Sequence, residues 1–445
     1  MKTLFADIVS RIDFSSLPDE YSTLLDGDFS DNKKLFDYQK EALENALKWL
    51  WVYYEKFPDE IKNLNRNLYT LYREEKRDSL SELDFRNEKG ENFSILREYF
   101  PILLNTEGRN DKEYVSFENF VNRMGFWMAT ASGKSLVIIK LLSIVHKLKK
   151  DGQIPEWDFL FLAPKPEIIN QVKDHIAEFN SYHKNTHIRL VELKWFEREK
   201  RDNRTRIGDE IVLYYTKSNL ITDKESQEQM DYRNYENDGK WYIFLDEAHK
   251  GDKESSKAQQ FYNIMARNGF IFNFSATFTD PRDINSTIYN LNLAEFTKKW
   301  YWKKIVLSES EYREFNRRND EEYTTDDKKR IVLKSLITFA TIKRFSEGVS
   351  WHFPDGYHNP LMVTIWNSVY TEDSDLEVFF RELKEIWEWK VSNEDVRQAK
   401  EELLKEADLL SCMYVDSTDA WSTSERKSWK DKVQSITLKD LLETV

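Results

Sequence analysis

Apolar positions along the chain follow two different periods. Between Tyr38 and Tyr54 they recur at helical spacing, with Leu43, Ala46, Leu47 and Leu50 on one face, which predicts a helix whose apolar side packs inward. From about Phe117 the pattern becomes short apolar runs separated by helical segments, the alternation expected of a parallel sheet covered by helices. Four runs predict strands: Phe159 to Ala163, Glu210 to Tyr215, Trp241 to Leu245 and Phe270 to Phe274. Each ends beside small or polar residues, and ligands of open α/β sheets bind beyond the carboxyl ends of the strands, so chemistry is expected there. Lys62 to Gly90 is charge-dense with few apolar anchors and reads as exposed helix or a connection. Ser308 to Arg344 reads as charged helices. Pro360 to Trp366 opens a new apolar strand after the turn signals Gly356 and Pro360, and Glu385 to Leu410 is helical by charge and apolar spacing. The resulting division is a helical N-terminal region (1–115), an α/β domain (116–295), a helical connector (296–355) and an incomplete second α/β domain (356–445).

Composition narrows the classes. A chain of 445 residues is too long for one core, and 40% hydrophobic with 33% charged residues describes a folded protein with a well-solvated surface. The net charge of -13 has the wrong sign for a protein that coats nucleic acid, yet leaves room for a local basic track. Cys412 is the single cysteine, which excludes an internal disulfide and a cysteine-based zinc site and suits a reducing compartment, with the cytoplasm the simplest. Met1 to Ser10 lacks a continuous signal-peptide core and no membrane-length apolar run occurs, so a soluble protein without a membrane partner is expected. The histidines show no zinc pattern; His183 and His187 are four apart without a clear third ligand, and no structural metal is expected.

Two motifs carry the chemistry. Met128-Ala129-Thr130-Ala131-Ser132-Gly133-Lys134-Ser135 precedes an apolar helical stretch and holds the Gly-Lys-Ser core of a phosphate-binding loop. Backbone N–H groups there wrap phosphates with help from the helix dipole, a lysine reaches the terminal phosphates and a hydroxyl ligates magnesium. Trp241 to His249 places Asp246 and Glu247 directly after a buried-looking strand: Asp246 suits hydrated magnesium next to Ser135, and Glu247 suits orienting or deprotonating the attacking water. Either motif alone could be a helix cap or a solvated strand end; in this order they explain each other. Asn273-Phe274-Ser275-Ala276-Thr277 ends the next strand, where Ser275 or Thr277 could bond the Asp246/Glu247 segment as a coupling element or merely satisfy a turn.

Tyr38-Gln39, Met128 to Ser135, Asp246 to His249 and Ser275 to Thr277 resemble, in this order, motifs Q, I, II and III of superfamily 2 helicases. The phrases Phe126 to Thr130, Leu245 to Gly251 and Gly269 to Asp280 most resemble the Res-subunit-like DEAD/DEAH-box family of type III restriction enzymes. Pro360 to Val363, Ser368 and Thr371-Glu372-Asp373 are similar to the opening of that family's second RecA-like domain. The resemblance implies an α/β fold of RecA-like P-loop type and an ATP- and Mg2+-dependent motor that moves on or remodels DNA, double-stranded first of all, with methyltransferase, specificity or nuclease subunits as candidate partners in a bacterial restriction or phage-defence system. It also implies that Gln39 reads adenine and that Thr130, Ala131, Ser132, Gly133, Lys134 and Ser135 hold the nucleotide. Asp246 and Glu247 then run hydrolysis, His249 couples, and Lys165, after Ala163-Pro164, and Thr216-Lys217 touch the nucleic-acid backbone.

Two departures stand out. Ala131 and Ser135 occupy positions that usually carry Gly and Thr, and no convincing motifs V and VI follow, so the arginines that complete the ATP site in this family are not found. Losing such an arginine can cost about three to five orders of magnitude in rate, and the chain is expected to bind ATP better than it hydrolyses it. No nuclease constellation is present either. Lys147 to Lys150 reads as a solvated helix end, Arg198 to Arg206 as a phosphate track or a loop, and Lys298 to Lys304, with Trp300, Tyr301 and Trp302, as a base-stacking segment or an interdomain strand. An RNA-remodelling helicase and a nucleotide-gated binding module with little hydrolysis remain the alternative readings.

Overall fold

The computed structural model describes residues 3–25, 27–56, 83–86, 95–105, 112–201, 209–226, 228–248, 257–298, 306–308, 325–352, 375–388, 390–406, 410–412 and 430–442. They form two compact units, Met1–Lys299 and Trp300–Val445.

The first unit is built on seven parallel strands: β1 (Arg123–Met128), β2 (Asp158–Ala163), β3 (Thr186–Glu192), β4 (Asp209–Lys217), β5 (Trp241–Asp246), β6 (Phe270–Ser275) and β7 (Thr287–Leu291). Their order across the sheet is β7-β1-β6-β5-β2-β4-β3. Every residue of β5 and β6 is buried, which is why both read as uninterrupted apolar runs rather than alternating ones. The four strands expected from the sequence are present, extended by one to three residues. Three were not expected. β1 opens on buried Arg123 and carries Gly125, and β3 lies at the sheet margin with only partly buried residues between Ile188 and Val191.

Helices cover the sheet. α1 (Leu4–Ser10) and α2 (Asp37–Trp51) pack into the same core as the strands: Phe5 stacks on Trp49 at 4.0 Å between ring centroids, and the Trp49 indole donates to the Arg123 carbonyl at 3.1 Å. Leu43, Ala46, Leu47 and Leu50 are all buried, as their spacing predicts. α3 (Lys134–Lys150) follows β1, α4 (Pro166–Tyr182) follows β2, and α5 (Lys257–Met265) precedes β6. This is the RecA-like α/β arrangement. Among the described residues no helix is long and apolar enough to cross a membrane.

In the second unit α6 (Thr325–His352), α7 (Asp375–Trp387), α8 (Asn393–Glu406) and α9 (Leu438–Leu442) share a small core around Leu336, Ile337, Ala340, Ala399, Val433, Ile436 and Leu441. Strands Val306–Ser308 and Leu410–Cys412 pair antiparallel. The strand expected at Pro360 to Trp366, the Thr371-Glu372-Asp373 segment, most of Lys62 to Gly90 and Lys299 to Lys304 lie outside the described residues.

Candidate active site

The strand order sets the carboxyl ends of β1, β6 and β5 side by side, and those ends carry the Gly-Lys-Ser loop, the Ser275-Ala276-Thr277 triplet and the Asp246-Glu247 pair. The loop turns sharply: Ala131 has φ 63° and Gly133 has φ 75°, both in the left-handed region. Left-handed residues in such a turn swing neighbouring N–H groups toward a concavity, and the start of α3 adds donors of its own, while the Ser132 N–H closes the turn on the Ala129 carbonyl at 3.2 Å. Glycine at 133 is required twice over, by its φ and because a Cβ there would come within 2.4 Å of the Gln39 Nε2.

Lys134 is buried at the first position of α3. Its ammonium donates to the Met128 carbonyl at 3.4 Å and stands 4.0 Å from the Glu247 Oε1. Neither contact is short, so the cation is held loosely. Ser135 is buried beside it, and the Ser132 Oγ is buried with no hydrogen-bond partner among the described residues. A buried donor left unpaired costs about 1–3 kcal/mol. That cost, the loosely held ammonium and the donor-lined loop fit a polyphosphate.

Asp246 ends β5 almost fully buried, and its Oδ1 accepts from the Glu247 N–H at 2.9 Å. Glu247 has φ 56°, which holds a non-glycine residue in a region costing of order 1–3 kcal/mol. Its carboxylate is thereby turned toward Lys134, an arrangement that opposes one acid to the loop cation and leaves the other, Asp246, at the strand end. Ser135 and Asp246 each carry an oxygen of the kind that ligates a magnesium ion.

Gln39 is 1% exposed. Its Oε1 accepts from the Phe36 N–H at 2.9 Å and its Nε2 donates to the Ser132 carbonyl at 3.0 Å, where the Tyr38 hydroxyl also donates at 3.0 Å. The Tyr38-Gln39 pair thus fastens α2 to the phosphate loop. Phe36 stacks on Tyr38 with ring centroids 5.4 Å apart and remains 58% exposed beside this clamp. The Ser275 Oγ donates to the Thr277 carbonyl at 2.8 Å and accepts from the Thr277 N–H at 3.1 Å, closing a tight turn. A link absent from the sequence reading joins this turn to the loop strand: the Trp127 indole N–H donates to the Ala276 carbonyl at 2.9 Å. A tryptophan at a strand end next to a polar loop needs an acceptor for its N–H, but the sequence does not say which residue, 149 positions away, supplies it.

Farther along the same edge, Ala163 of β2 is in register with Lys217 of β4. Lys165 is exposed just beyond β2; Thr216 is buried, with its hydroxyl donating to the Met230 sulfur at 3.6 Å, and Lys217 is half-buried. His249 lies outside the described residues.

A family model described as "Type III restriction enzyme, res subunit" matches residues 32–280. No curated protein matches the chain. The matched span runs from just before the Tyr38-Gln39 clamp to just past the Ser275 turn, more than half of the chain, and takes in all seven strand ends but that of β7. The protein therefore belongs to the type III restriction enzyme Res-subunit family, a superfamily 2 helicase family of ATP-dependent nucleic-acid motors with a P-loop fold.

Proposed function

We propose that this chain is a DNA translocase or helicase motor driven by ATP with Mg2+, working in the cytoplasm within a restriction or phage-defence system alongside methyltransferase, specificity or nuclease subunits. The observation that carries the reading is the meeting of three strand ends, which brings the Lys134 ammonium within 4.0 Å of the Glu247 carboxylate over a donor-lined loop. Magnesium, when bound, would neutralise phosphate charge and polarise the transferred phosphoryl group. Ser135 and Asp246 would hold it. Thr130, Ala131 and Gly133 would cradle phosphate oxygens through their N–H groups, and Ser132, whose own N–H bonds the Ala129 carbonyl at 3.2 Å, would add its unpaired hydroxyl. Lys134 would exchange its loose contacts for the terminal phosphate, freeing Glu247 to orient the attacking water and accept its proton. The Trp127–Ala276 bond would carry displacement of the loop strand into the Ser275 turn. Lys165 and Lys217, on neighbouring strand ends, suit contacts with a phosphate backbone; His249 is assigned the coupling role by its motif alone.

The test is magnesium-dependent ATP hydrolysis by the whole chain with double-stranded DNA, single-stranded DNA or RNA added. Stimulation by DNA that disappears in Glu247→Gln supports the reading, and preferential stimulation by RNA overturns its DNA part. ATP binding with no turnover under any nucleic acid favours the second reading, a nucleotide-gated binding module, which the missing arginine motifs motivate.

A further inference from the structure

β3 is the margin of the sheet, and Glu192 at its end is in register with Tyr215, two residues before Lys217. The chain then makes a short turn, Leu193–Trp195, whose Leu193 is buried as an anchor while Trp195 stays 47% exposed. A tryptophan left that open forfeits a large burial gain. Two cations lie close to its ring: the Lys194 Nζ is 5.6 Å and the Arg198 guanidinium carbon 5.8 Å from the ring centroid. In the order β2-β4-β3, Lys165, Lys217 and the Trp195 turn therefore stand on three consecutive strand ends. Neighbouring strands are about 4.8 Å apart, so the row spans roughly 10 Å.

We propose that Trp195 is a stacking platform for an unpaired nucleobase, with Lys194 and Arg198 meeting the flanking phosphates and the Lys217–Lys165 row continuing along the same strand of nucleic acid. This rests on the nucleic-acid motor reading above and adds to it a base contact, hence a single-stranded segment as the species held at the margin of the sheet. Exposed aromatics flanked by cations hold single strands without regard to sequence, because every base offers a π face. Charge alone is a weak explanation for the patch: Glu192 is ion-paired with Lys194, and Glu197 lies next to Arg198 in the chain, so attraction for phosphate is offset locally. Stacking must supply most of the contact.

The experiment measures binding of a fluorescein-labelled oligothymidine and of the same strand made abasic, by anisotropy, to the whole chain and to its Trp195→Ala and Trp195→Phe variants, each first shown to melt as the parent does. Trp195→Ala is expected to weaken binding of the base-bearing strand by about five- to a hundred-fold, Trp195→Phe much less, and the abasic strand is expected to bind the parent and Trp195→Ala alike. An equal loss on both strands would make Trp195 a structural or electrostatic element, and no loss on either would remove it from the interface; both overturn the proposal. If the parent binds neither strand and its ATP turnover ignores nucleic acid, the motor reading itself falls and the proposal with it.

Discussion

The positions where this loop departs from ordinary backbone rules are the positions where its chemistry would sit. Ala131 occupies the left-handed region that glycine enters freely, at a cost of roughly 1–2 kcal/mol for an L side chain. Ala131→Gly should therefore stabilise the protein by up to about 1 kcal/mol once glycine's extra chain entropy is subtracted, whereas Ala131→Val should destabilise it; urea denaturation of the three proteins gives the order directly. Gly133 faces a different constraint. Its missing Cβ makes room for the Gln39 carboxamide, which is pinned at both ends. Gly133→Ala should lose nucleotide binding, and adding Gln39→Ala should recover only part of it, because the clash goes and the φ penalty stays; a full recovery in a fluorescent-ATP titration would show that φ is immaterial. Lys134→Ala should abolish nucleotide binding while Glu247→Gln keeps it and loses hydrolysis, since a phosphate partner and a water-orienting base act at separate steps. Equal binding by the Lys134 variant would contradict the loop assignment.

Individual elements are fixed to the site by buried polar contacts that the hydrophobic pattern does not announce. Arg123, at the start of β1, gives one guanidinium N–H to the Asp283 carboxylate at 3.1 Å and its Nε–H to the Phe120 carbonyl at 2.8 Å, and it also bonds the Asn263 side chain. The Asn273 amide of β6 donates to the same Asp283 oxygen at 2.8 Å. The segment after the Ser275 turn is thus tied to the loop strand, and Gly125 lets it approach: a Cβ there would fall 2.9 Å from the Thr287 Oγ1. Arg123→Met would remove the buried cation paired with Asp283, at a cost of about 3–5 kcal/mol, and Asp283→Asn added to it should restore part of the loss, as read by denaturant midpoints. A milder attachment holds residues 27–35 on α4. Lys33 and Ser30 hydrogen-bond the Glu178 carboxylate and keep its pKa below the ordinary 4.5. A carboxyl with a depressed folded-state pKa stabilises above its unfolded value and loses that contribution as pH falls through the folded one. Glu178→Gln should then melt below the parent at pH 7, and the gap between the two should begin to narrow as pH falls below the ordinary 4.5; a gap that does not narrow anywhere in the acid range would assign the effect to packing instead.

At the scale of the whole molecule, what the sequence revealed depended on where each residue is buried. β2, β4, β5 and β6 were legible because strands covered on most of their length read as continuous apolar runs. β1 was hidden by Arg123, whose ion-pair partner Asp283 lies 160 residues along the chain, and β3 by its place at the margin, where burial is partial. The loop and the acidic pair were legible because their spacing is set by chemistry; the Trp127–Ala276 and Gln39–Ser132 links were not, because a hydrogen bond across 149 or 93 residues leaves no local period. The same distinction separates the two units. The first has its own core, from Phe5 to Phe296, and holds the loop, the acidic pair and the clamp; the second has a separate small core of helices. ATP affinity, resting on the loop, should therefore survive in residues 1–299 expressed alone, within a few-fold of the whole chain. Rapid turnover needs a cation on the transferred phosphoryl group besides Lys134, and an arginine in that role is worth about three to five orders of magnitude in rate. The isolated first unit should accordingly bind ATP and turn it over only slowly, whatever DNA is present. Comparing single-turnover rates of the two proteins at saturating ATP measures that cation's contribution: a whole chain faster by orders of magnitude would locate an arginine within residues 300–445, and equal slow rates would mean that the completing charge is supplied from outside these 445 residues.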